Sequence, residues 1–100
     1  MNFKEFIESI RNGKEPAGLS LQLRALWHDG KGDWVEAHSL IDQLNDRQSA
    51  HVHAYLHRKE GDIWNADYWY KRAGRKRPDH TLEEEWEELI KLYLISQAGI

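Results

Sequence analysis

The chain has 100 residues, with 14 lysines and arginines against 17 aspartates and glutamates and no cysteine, so its formal net charge is −3 with histidine neutral. That length suits one domain with a modest core, the acidic balance argues against a generic nucleic-acid binder, and the lack of thiols excludes disulfides and zinc–thiolate sites while fitting a reducing, cytoplasmic setting. No stretch approaches the roughly 18 consecutive apolar residues of a membrane-spanning helix, so no membrane partner is expected.

Phe3, Phe6, Ile7 and Ile10 recur at helical spacing and Asn12-Gly13 closes the pattern, which predicts an N-terminal helix over residues 2–12. Pro16 and Gly18 mark a loop. Leu19 to Trp27 reads as a helix apolar around much of its circumference, hence one with neighbours on several sides. After the break Asp29-Gly30-Lys31-Gly32, Asp33 with Glu36 has capping-box spacing, and a third helix is expected through Leu44. Asp46 caps a fourth helix reaching about Lys59, Gly61-Asp62 forms the next corner, and a fifth helix runs from Asp62 to Ala73 with Gly74 as its stop. Thr81 with Glu84 opens a final helix over residues 81–97 through Leu82, Trp86, Leu89, Ile90 and Tyr93. No period-two alternation is sustained anywhere, so the expected fold is all-α, about six helices with no β-sheet, in one domain spanning residues 1–100.

A shift of 29 residues superposes Ala25, His28, Gly32, Asp33 and Ala37 on Ala54, His57, Gly61, Asp62 and Ala66. Such spacing indicates an internal duplication: alanines that let helices approach, a glycine for a left-handed corner, and an aspartate to cap the next helix. The repeats cover about residues 19–45 and 47–78. Gly61, Asp62, Ala66, Tyr70, Ala73 and Pro78, with Ala54 on the preceding helix, resemble the tetratricopeptide repeat, although Ile63 stands where that motif has an aromatic residue, and the earlier copy has Trp34 and Ala37 in place but Ile41 and Leu44 where Tyr and Ala would stand, and no proline. The resemblance implies stacked antiparallel helical hairpins and a scaffold that binds a peptide or protein. The string from His53 through Gly74 is also similar to that of a group of small, mainly bacterial proteins, which implies kinship without implying an activity.

Two histidines four apart, His53 and His57, share a helical face, the spacing of a two-histidine metal site. No HExxH motif or fixed-distance carboxylate accompanies them, so no metal ligand and no cofactor are assigned. On the repeat they face the fifth helix, where imidazoles bonded to backbone, Asn65 or Asp62 are the plainer expectation, and the repetition of His28 as His57 favours repeated packing. The serines and Thr81 lack a nucleophile elbow, and Gly30 and Gly32 make a helix corner, not a phosphate loop. The expected function is non-catalytic binding of a protein, peptide or small ligand at His53, His57, Arg58, Asp62, Asn65 and Tyr68. The alternative is an enzyme or metal-binding protein using the cluster around His53, His57, Asp62 and Asn65.

Trp64, Tyr68, Lys71 and Arg75 form a second stripe, aromatic then cationic, chemically suited to an anionic ligand. The competing expectation has Trp64 and Tyr68 buried beneath the last helix, and the bases at 71–77 neutralised by Glu83, Glu84, Glu85, Glu87 and Glu88. Leu92, Ile95 and Ile100 lie off the main apolar stripe of that helix and would suit weak homo-oligomerisation.

Overall fold

A short polar side chain starts each helix by accepting an amide proton that the first turn leaves unpaired. The computed structural model describes residues 1–97 and contains six helices, with no strand among the described residues: α1 (Phe3–Asn12), α2 (Leu21–Gly30), α3 (Trp34–Ile41), α4 (Arg47–Glu60), α5 (Ile63–Arg72) and α6 (Leu82–Gln97). Asn2 and Glu5 bond each other's amides before α1, as Thr81 and Glu84 do at α6. Ser20, Asp33, Asp46 and Asp62 cap the other four. Two boundaries differ from those expected. Helix α2 begins at Leu21 because Ser20 is extended (φ −62°, ψ 162°) and receives the Leu23 amide. Helix α3 stops at Ile41, and Leu44 reaches the core from a turn in which its amide bonds the Ile41 carbonyl at 3.1 Å. Ile100 lies outside the described residues.

Helices α2 and α3 form one closely packed hairpin and α4 and α5 another. Gly32 (φ 87°) and Gly61 (φ 90°) turn the two corners in the left-handed region, which a side chain would disfavour. Phe6, Leu23, Leu26, Ile41, Leu56, Leu89 and Ile90 are buried between α1, α2, α3, α4 and α6, and each such side chain removed from water contributes about 1.5–3 kcal/mol. Gly30 has a different use from the corner glycines. It sits inside α2, where a Cβ would come within 2.7 Å of Trp86 and 2.8 Å of Ile10, so its bareness lets α1, α2 and α6 meet.

Helix α5 packs along α4 and brings its backbone close to no other helix, so it forms an edge. It buries only Ala66 and Tyr70 fully. Trp64 is therefore 79% exposed and Tyr68 47%, which corrects the expectation that they lie beneath the last helix. Helix α6 instead docks on α1, α2 and α4, its Trp86 Nε1 donating to the Leu26 carbonyl at 3.0 Å. Leu92 and Ile95 on α6 are exposed. No helix of the described residues is long and apolar enough to cross a membrane.

Candidate metal centre

Three histidines meet where α3, α4 and α5 come together. On α4, His53 and His57 lie one turn apart with stacked rings, centroids 4.8 Å apart and 27° between planes. On α3, His38 approaches both: its Nε2 is 3.0 Å from Nε2 of His53, and its ring centroid is 5.2 Å from that of His57. One ring nitrogen from each of the three lies within 4.8 Å of the other two.

Indole rings wall the cluster. Trp34, one turn before His38, stacks on it at 4.9 Å and 11°, and is itself fixed by Nε1 donating to the Leu56 carbonyl at 2.8 Å. Trp69 of α5 covers His53 at 4.1 Å and 22°. Burial follows: His53 is 4% exposed and His57 9%, while His38 keeps a quarter of its side chain in contact with solvent. Desolvation, helped by the neighbouring His57 and His38, pushes His53 down to about 3, and burial beside His57 also lowers His38, because a buried cation loses hydration and meets like charge. Both imidazoles are thus neutral at neutral pH and hold a lone pair.

The outer nitrogens face carboxylates. His57 Nδ1 contacts Glu60 Oε1 at 2.6 Å, and His38 Nδ1 lies 3.9 Å from Asp42 Oδ2. A second trio of His57, Glu60 and Asp62 also has ligand atoms within 4.8 Å of one another, on the solvent side. Nδ1 of His53 is buried with no partner. Such an orphan is costly in a native interior.

The residues singled out from sequence separate into four places. His53 and His57 are in the cluster. Asp62 and Asn65 bond each other, the Asn65 amide at 3.2 Å and its Nδ2 at 2.8 Å, and so start α5. Arg58 turns away to the buried carboxylate of Glu85 at 2.9 Å and to the His80 carbonyl. Tyr68 stands at the surface beneath Arg72, 5.8 Å from its ring centre. His38, Trp69, Glu60 and Asp42 were not anticipated, yet a signal existed for the first: Trp34 and His38 repeat on α3 the i, i+4 spacing of His53 and His57 on α4. Comparison with family models, with curated proteins and with solved structures yields no match for this chain.

Cavities of about 220 to 630 Å³ lie elsewhere on the described residues, and the linings of these five include none of His38, His53 and His57.

Proposed function

We propose that this protein binds a divalent transition-metal ion, zinc fitting best, through His38, His53 and His57. The convergence of the three imidazoles carries the reading. Bonds of about 2.05 Å to a tetrahedral zinc place neighbouring nitrogens about 3.3 Å apart, close to the 3.0 Å between His38 and His53. Neutral imidazoles are the required ligand form, and Glu60 behind His57 is the kind of outer partner that orients a metal-bound histidine and raises its basicity, while Asp42 adds negative charge 3.9 Å from His38. Nitrogen ligands without thiolate favour zinc, copper or nickel over calcium or magnesium. Three protein ligands leave a fourth position for water or for a partner's carboxylate. The scaffold supports this use, since α3 and α4 each present their ligands on one face, and we read the two hairpins as tetratricopeptide-like on the strength of their matching Gly-Asp corners.

Zinc titration of untagged, chelator-treated protein tests the proposal by calorimetry and by melting temperature. The expected result is one ion per chain and a stabilisation of about 2.7 kcal/mol at a hundredfold excess over Kd, a shift of several degrees. His38→Ala is the informative variant because that side chain is partly exposed, and it abolishes the shift; His28→Ala retains it. Absence of saturable zinc binding, or equal binding by His38→Ala, overturns the reading.

A further inference from the structure

Helix α4 carries another histidine on a different face, and the surroundings of His51 do not resemble those of the metal cluster. His51 is 8% exposed and accepts or shares a proton with Tyr93 Oη at 2.7 Å through Nδ1. Burial first of all pushes Tyr93 up to about 12, so it keeps its proton. The Tyr93 hydroxyl has no other acceptor among the described residues, and donating to Nδ1 leaves the proton of His51 on Nε2. That N–H has no protein partner among the described residues.

His51 lines a solvent-open cavity of about 330 Å³ together with Arg75, Lys76, Pro78, Glu85, Glu88, Leu89 and Leu92. Arg75 also lines two adjoining depressions, one shared with Lys71, Lys76 and Arg77 and the other with Arg47. The acids of α6 do not neutralise these bases as the sequence order suggested. Glu85 is held by Arg58 and by the Tyr70 hydroxyl, Glu88 by His80 at 3.0 Å and Glu87 by Lys91 at 2.7 Å. Arg77 is bound to Asp67 at 2.9 Å. Among the described residues, Arg47, Lys71, Arg75 and Lys76 carry no ion pair and no side-chain hydrogen bond. Two free cations, Arg75 and Lys76, therefore line the cavity that His51 also lines, and Lys71 and Arg47 line the depressions beside it.

We propose that this cavity binds a small phosphate monoester, with Arg75 and Lys76 on the phosphate, the His51 Nε2 proton as a third donor, and the organic group against Leu89 and Leu92. A guanidinium matches two phosphate oxygens with two parallel N–H groups, and an ammonium adds point charge. Donors already fixed by the protein lose little on binding, whereas an exposed lysine cluster alone has no such anchor. The apolar wall distinguishes an ester from the free ion.

Calorimetric titration with phenyl phosphate, inorganic phosphate and phenol at pH 7 and constant chloride tests the assignment. The expected result is saturable one-to-one binding of phenyl phosphate, tighter than inorganic phosphate, with no binding of phenol. Arg75→Gln weakens it at least tenfold, and His51→Gln weakens it several-fold. Arg75 is exposed, so its replacement leaves folding intact, as a melting curve verifies. His38→Ala binds phenyl phosphate like the wild type, which separates this site from the metal centre. Failure of both phosphates to saturate, or unchanged affinity in Arg75→Gln, overturns the proposal.

Discussion

At the α2–α3 corner the Gly32 amide bonds the Asp29 carbonyl at 2.9 Å and the Asp33 amide bonds the His28 carbonyl at 2.9 Å; at the α4–α5 corner Gly61 bonds Arg58 at 3.1 Å and Asp62 bonds His57 at 3.0 Å. Every partner is displaced by the same 29 positions, so the two backbones repeat each other through the turn. The side chains do not. His28 Nε2 meets Glu15 of the N-terminal loop at 3.0 Å, a carboxylate also engaged by Arg24, whereas His57 joins two further imidazoles and Glu60. Asp29 receives the Tyr55 hydroxyl at 2.7 Å and Lys59 at 2.8 Å, while its counterpart Arg58 has the opposite charge and binds Glu85. The turn is fixed by contacts within five residues, but a side chain's chemistry is fixed by which other element lies opposite. Helix α2 is surrounded by α1, α3, α4 and α6, and α4 lies against the edge helix α5.

The largest difference between the hairpins should appear when their buried carboxylates lose their cations. Arg58→Ala leaves Glu85, 2% exposed, with only the Tyr70 hydroxyl, and should cost about 3–5 kcal/mol in urea denaturation. Lys59→Ala should cost less, about 1–2 kcal/mol, because a cavity of about 220 Å³ lined by Asp29 and Lys59 admits water in place of the ammonium. Equal losses would break the distinction between a sealed and a wetted pair.

Acid should act next. His51 is held at about 3 in the folded chain against about 6.5 when unfolded, so above pH 6.5 neither state binds a proton there. As pH falls from 6.5 towards 3 the unfolded chain takes up a proton that the folded chain refuses, and stability drops by up to about 1.4 kcal/mol per pH unit from this group. Arg75 and Lys76 face His51 across the cavity and oppose its charging, Tyr93 occupies Nδ1, and Glu85 and Glu88 are held by other residues. His51→Gln should flatten the stability curve in this window, and an unchanged slope would contradict the assignment.

The smallest effect tests what the hairpins share. Gly32→Val and Gly61→Val should each cost about 1–2 kcal/mol, and by the same amount, because both positions have φ near 90° and an added Cβ meets no atom within 4 Å. A change in melting temperature at only one of them would show that the corners differ after all.

Local chemistry made the six helices, the caps Asp33, Asp46, Asp62 and Thr81, and the 29-residue repeat legible in the sequence, since periodicity, Asp and Thr caps and left-handed glycines act over four or five residues; the caps Asn2 and Ser20 were missed. The same locality explains why Asp62 and Asn65 could be found but not told apart from a binding pair: their bond to each other is a helix start. Tertiary packing alone decided the rest. It set His38 of α3 against His53 of α4, sent Arg58 to a carboxylate 27 residues away, and left Trp64 in water because α5 has a neighbour on one side only. It also drew the acids of α6 to Arg58, His80 and Lys91 and so left the adjoining bases free. Charges adjacent in sequence are not thereby adjacent in space, because each helix directs its side chains to whichever surface it is packed against.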